Sequence, residues 1–101
     1  MKKVTIMIPT YNQAKYISKA IKSALNIDYP NIEVIVSDDC SSDNTEEVVS
    51  KYLSDNRFKY IKNKKNLGRV GNYRKTLYEY SSGDYVRERA RKKREGKREV
   101  D

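Results

Sequence analysis

The chain alternates between short apolar runs, rich in β-branched residues, and longer segments whose apolar residues recur every three or four positions. VTIMIP (residues 4–9) is the first run and fits a strand buried on both faces. Pro9 is expected to end it, because proline cannot donate to a sheet ladder. Ile17, Ala20, Ile21, Ala24 and Leu25 then form one stripe of a helix, with Asn12 as a candidate cap. A turn through Asp28, Tyr29, Pro30 and Asn31 leads into the second strand, IEVIVS (32–37). The second helix is expected from about Asp43, with Glu46 in the capping-box position and Val48, Val49, Tyr52 and Leu53 facing inward.

RFKYIK (57–62) alternates, and its Lys and Arg suit an edge strand. The polar loop NKKNLGRVG precedes a third helix over about 69–81, with Val70, Tyr73, Leu77 and Tyr80 on one side. Ser82 and Gly83 break it, and DYV opens a fourth strand. Strands alternating with helices predict an α/β fold, a mainly parallel sheet with helical crossovers. No internal repeat points to a solenoid.

Composition divides the chain in two. Its 101 residues are enough for one small domain, and hydrophobic (37%) and charged (36%) residues are nearly balanced. Residues 1–86 carry the pattern. Residues 87–101 hold eight Lys or Arg against four Asp or Glu, a net of +4 within the chain's +8. This segment is read as a basic tail, disordered or a marginal helix, since it has almost no apolar face. The charge raises nucleic acid as a partner, but the tail intersperses acids, and that reading is disfavoured. Cys40 is the single cysteine and the chain has no histidine, so neither a disulfide nor a His-activated thiol is expected. No apolar run reaches membrane-spanning length. The expectation is a cytoplasmic chain, with peripheral association at the inner membrane surface left open.

In an open parallel sheet, ligands bind beyond the carboxyl ends of the strands. Pro9, Thr10, Tyr11 and Asn12 lie beyond the first strand, and Ser37, Asp38 and Asp39 beyond the second. If those strands are neighbours, an aromatic face, hydroxyls, an amide and two carboxylates converge. That set suits a nucleoside better than a bare phosphate: carboxylates accept from base N–H or sugar hydroxyls, and a tyrosine covers a flat ring. No glycine-rich phosphate loop is present. Plainer roles stand beside these. Thr10 and Asn12 can shape a turn, Tyr11 can be surface packing, Asp43 can be a cap, and one of the paired aspartates can hold the following turn.

VTIMIPTYN, IEVIVSDDCSSDNT, NKKNLGRVGNY and SSGDYV, in this order and spacing, resemble the front half of a family 2 glycosyltransferase. The resemblance covers about residues 3–86. It implies a GT-A, Rossmann-like three-layer sandwich with strand order 3-2-1-4, and a nucleotide-activated sugar such as a UDP-sugar as ligand. It places Tyr11 near the base, with Pro9 and Thr10 lining the same pocket. It places Asp39 against uracil, and Asp38 toward the ribose or the supporting turn. Asn66, Gly68 and Arg69 fall near the nucleotide and its phosphates, with a solvent-facing helix start as the other reading for Arg69.

The resemblance also implies a divalent ion, Mn²⁺ or Mg²⁺, held by an Asp-x-Asp motif after the fourth strand. At that place the chain reads RERARKKRE, so no metal ligand and no catalytic residue is assigned. The complete enzyme would pass the sugar to a sugar or glycan hydroxyl. This chain is expected to supply the nucleotide-sugar-binding half, with little transfer of its own. A short fourth strand leaves a sheet edge open, from which marginal stability or self-association is expected. The rival is a non-enzymatic α/β domain that binds RNA or an acidic protein through the basic tail.

Overall fold

The computed structural model describes residues 2–79, 83 and 85–88, without the side chains of 79 and 85–88. The elements follow in the order β1 (Val4–Thr10), α1 (Ala14–Leu25), β2 (Ile32–Asp38), α2 (Thr45–Ser50), β3 (Phe58–Lys62), α3 (Gly68–Glu79) and β4 (Tyr85–Glu88). All pairings are parallel, and the strands lie in the order β3-β2-β1-β4. Among the described residues no helix is long and apolar enough to cross a membrane.

Alternation along the strands sorts the side chains into two layers. Ile6, Ile8, Val34, Val36 and Phe58 meet Ile17, Ala20, Ile21 and Ala24 of α1 and Val49 of α2 in the main core. Ile17 and Ile21 are fully buried. Each such side chain contributes about 1.5–3 kcal/mol. That is enough to hold a twelve-residue helix that would be marginal alone. Thr5, Met7, Glu33, Ile35 and Ser37 point to the other face, which α3 covers. This second layer is more polar. Thr5 Oγ1 donates to Glu33 at 2.6 Å, and Lys59 pairs with the same carboxylate at 3.1 Å. Gly83 packs so close to Thr5 that a Cβ would fall 2.2 Å from Thr5 Oγ1, which only glycine permits.

Several expectations about local structure are corrected. Pro9 does not end β1; the strand continues through Thr10, paired with Asp38. Val4 N donates to Asn31 O and Thr10 O accepts from Asp39 N, so even-numbered β1 residues address β2. Pro9 therefore turns its nitrogen to the other side, past the last β1–β4 pair at Met7 and Glu88. β4 also runs through Arg87 and Glu88, into the segment read from its charge as tail. Backbone pairing with β1 does not require apolar side chains. The rest of that segment, 89–101, lies outside the described residues, as do Tyr80 to Ser82 and Asp84.

Asn12 does not cap α1. It has φ 51° and turns its side chain to the β2–α2 loop, while Ala14 N donates to Asp43 at 3.1 Å. Glu46 makes no capping box and instead pairs with Lys62 at 3.3 Å. α2 stops at Ser50, whose hydroxyl bonds back to Glu47 O at 2.7 Å, and Leu53 is 54% exposed rather than inward. Val70 of α3, expected inward, is 68% exposed, and among the described residues of that helix the buried ones are Asn72 and Thr76.

The entry to β3 is tied by Asp55, which accepts from Arg57 Nε at 3.1 Å and Nη2 at 2.8 Å. These bonds, with the Arg57 backbone N–H, hold the Asp55 carboxyl at about 2, below its ordinary 3.8. A depressed carboxylate contributes its stability above the unfolded value and loses it as pH falls through the folded one. Acid titration of unfolding free energy is therefore expected to show a component lost between about pH 4 and pH 2 that Asp55→Asn abolishes; an identical acid limb in the variant would contradict the assignment.

Candidate functional site

Three loops meet at the carboxyl ends of the strands: 11–13 after β1, 39–44 after β2 and 63–67 after β3. The first two are clasped by Asn12. Its Oδ1 accepts from Ser42 N at 2.8 Å and Asp43 N at 3.3 Å, and its own N–H donates to Ser41 Oγ at 2.8 Å. Asp43 returns the clasp to Ala14 and also receives Thr45 N at 3.0 Å. Burial acts to raise the Asp43 pKa, but the bonds from Thr45 and the backbone outweigh it and hold the group below its ordinary value. Asp43 is thus a cap for two loops.

The adjacent carboxylates point apart, as successive residues leaving a strand must. Asp38 is fully buried. It accepts from Tyr60 OH at 2.5 Å and from Ser41 N at 2.9 Å. Burial first, and then this bond to Asp38, push the Tyr60 phenol well above its ordinary range. Asp38 therefore holds the turn that follows β2 through Ser41. Asp39 turns to α3: Leu67 N donates at 2.8 Å, Gly68 N at 2.9 Å and Asn63 Nδ2 at 2.9 Å. The first N–H groups of a helix have no partner within it and carry partial positive charge. Asp39, from 28 and 29 residues away, is the cap of α3.

The other sequence-predicted residues fall as follows. Pro9 and Thr10 sit at the end of β1, and Thr10 O accepts from Asp39 N at 2.9 Å, joining the two strand ends directly. Tyr11 is 47% exposed beside them. Asn66 reaches Asp39 O with its Nδ2 at 3.3 Å and Gly68 N with its Oδ1 at 2.9 Å. Gly68 has φ 83°, a conformation glycine adopts without strain. Arg69 is exposed in the first turn of α3. Asp39, Asn66 and Gly68 are joined by hydrogen bonds, Arg69 follows Gly68 in the chain, and Asp38 bonds to Tyr60 and Ser41 on the other face of the sheet. Sequence reasoning missed Asn63 and Asn72, both buried. Asn63 opens the polar loop after β3 and Asn72 lies off the apolar stripe of α3, so neither carried a signal in the sequence.

Two buried hydroxyls at these strand ends, Thr10 Oγ1 and Ser37 Oγ, have no hydrogen-bond partner among the described residues. By alternation they face opposite sides of the sheet. No cluster of three or more His, Cys, Asp or Glu among the described residues is placed to hold a metal. Asp38 and Asp39 are committed to protein donors, so they do not fit a divalent ion as they stand.

A parallel, three-layer α/β arrangement with its loops gathered at the strand ends is the GT-A type of fold. The sequence matches the model for "Glycosyl transferase family 2" over residues 5–87, and the chain belongs to that family. The poly(ribitol-phosphate) beta-N-acetylglucosaminyltransferase TarS of Staphylococcus aureus is 35% identical over 88 residues, covering 85% of this chain and 15% of TarS. The GalNAc(5)-diNAcBac-PP-undecaprenol beta-1,3-glucosyltransferase of Campylobacter jejuni is 41% identical over 88 residues, covering 85% of this chain and 28% of that protein. A crystal structure of S. aureus TarS with UDP is similar with a TM-score of 0.78 at 33% identity, over 88% of this chain and 27% of that one. TarS has also been solved with UDP-GlcNAc, with a TM-score of 0.77. The chain spans less than a third of each of these relatives.

Replacing Tyr60 by Phe leaves the buried Asp38 carboxylate without its phenol donor. Tyr60→Phe is expected to lower the unfolding free energy by about 1.5–3 kcal/mol in urea at neutral pH; a loss under about 0.5 kcal/mol, typical of an uninvolved surface site, would contradict this role.

Proposed function

We propose that this chain is the nucleotide-diphospho-sugar-binding portion of a glycosyltransferase that passes a sugar to a hydroxyl acceptor. The nucleotide lies at the ends of β1 and β2, with its base against Tyr11. The observation that carries this reading is the direct join of the two strand ends, Thr10 O to Asp39 N at 2.9 Å. It sets the exposed Tyr11 beside the acidic loop, where an open parallel sheet offers its ligand crevice. The unpartnered Thr10 hydroxyl supplies a further group for a ligand or water to satisfy. Membership of family 2, and the UDP and UDP-GlcNAc held by the similar TarS structures, favour a uridine diphospho-sugar.

Asn66, Gly68 and Arg69 belong to this site in different degrees. Gly68 N and Leu67 N are given to Asp39, so they are not free to cradle a phosphate. Arg69 is the exposed cation next to them and can reach a diphosphate through charge alone. The Mn²⁺ or Mg²⁺ of the complete enzyme is assigned no ligand here. Because RERARKKRE (87–95) contains no Asp-x-Asp, this chain alone should transfer little sugar. The rival reading, an RNA- or acidic-protein-binding domain, draws no support from the family assignment.

UDP titration followed by amide chemical shifts is expected to give weak binding, with the largest changes at Thr10, Tyr11 and Asp39 and no strengthening by Mn²⁺. Tyr11→Ala should weaken it by about 1–3 kcal/mol, the usual worth of a base stacked on an aromatic ring. Shifts centred elsewhere, or an unaffected Tyr11→Ala variant, would remove the site assignment.

A further inference from the structure

Asn63 follows β3 directly and is 4% exposed. Its backbone N–H donates to Asp38 O at 2.8 Å. Its side-chain amide has a donor end and an acceptor end, and each meets groups of fixed polarity. Nδ2 donates to Asp39 Oδ1 at 2.9 Å and to Asn72 Oδ1 at 2.9 Å. Oδ1 accepts from Lys75 Nζ at 3.2 Å. A carboxylate only accepts and an ammonium only donates. Reversing the amide would set oxygen against Asp39 and the NH₂ group against Lys75. Asn72 adds to the constraint: its Nδ2 is given to Ser37 O at 2.9 Å, leaving its Oδ1 as the end that accepts. One amide orientation satisfies every partner.

We propose that Asn63 is a positioning residue of the nucleotide site. It bridges Lys75 and Asn72 of α3 to Asp39, and keeps that carboxylate seated on the Leu67 and Gly68 N–H groups. Without it, one of the three donors to Asp39 is gone and the carboxylate is free to turn from the helix start. Through Asp39, Asn63 sets the place of the 39–44 loop against Thr10. The effect on affinity rests on the nucleotide reading; the hold on Asp39 does not, and is measured without ligand.

The test uses the full chain with two substitutions, Asn63→Ala and Lys75→Met. The second leaves the buried amide in place and removes only its orienting ammonium, so it serves if the first fails to fold. In the free protein, amide exchange at Leu67 and Gly68 should quicken about tenfold in Asn63→Ala, and less in Lys75→Met, with Val34 to Val36 unchanged. UDP affinity should fall about tenfold in Asn63→Ala, and that fall should vanish in an Asp39→Asn background, since two residues acting through one another are not additive. Equal quickening at the β2 amides, or none at Leu67 and Gly68, would overturn the proposal. An affinity loss of the same size in the Asp39→Asn background would also overturn it. Selective quickening in a chain that takes up no UDP would refute the nucleotide reading while supporting the hold of Asn63 on Asp39.

Discussion

The arrangement of the strand ends depends on one carboxylate. Asp39 receives Leu67 N, Gly68 N and the Asn63 amide within 2.9 Å while its own N–H goes to Thr10 O. It therefore links the ends of β1 and β2 to the start of α3. Charge-assisted bonds to a buried carboxylate are stronger than neutral ones, and unseating that carboxylate would strand both the anion and the helix N–H groups. The neighbouring Asp38 does comparable work on the opposite face, bonded to Tyr60 and Ser41. The two adjacent carboxylates thus face opposite layers of the fold, each bonded to a different loop or helix.

The two faces of the sheet are stabilised differently. On the α1 and α2 side, isoleucines and valines interlock around Ile6, Ile8, Val34 and Val36. On the α3 side, Asn72, Thr76, Asn63, Thr5 and Glu33 are buried and largely joined by hydrogen bonds. α3 carries its polar residues inward, and Val70 and Tyr78 outward at 68% and 75% exposure. Burial of this kind is tolerable only where each polar group has its partner. It makes α3 a helix positioned by directional bonds, which suits an element that has to orient a loop.

This contrast explains what could be read from the sequence. β1, β2 and α1 were legible because two-sided burial leaves continuous apolar runs and one-sided burial leaves a stripe of period 3.6. The family motifs fall at the ends of β1 and β2, where Thr10 and Asp39 are adjacent. α3 was misread on its inward face, because Val70 fitted the apolar stripe while Asn72 and Thr76 did the packing. Asn12 looked like a local cap, yet its partners are 30 and 31 residues away. The same holds for Asp39 and Asn63, separated by 24 residues. Hydrogen bonds between loops have no period, so composition and spacing carry no trace of them.

The most direct measurement is scalar coupling across hydrogen bonds by nuclear magnetic resonance, from the Leu67 and Gly68 amide nitrogens to the Asp39 side-chain carboxyl carbon. Coupling from both amides, in the chain without ligand, is the predicted result. Coupling absent from both, with those amides well protected by some other acceptor, would contradict the account.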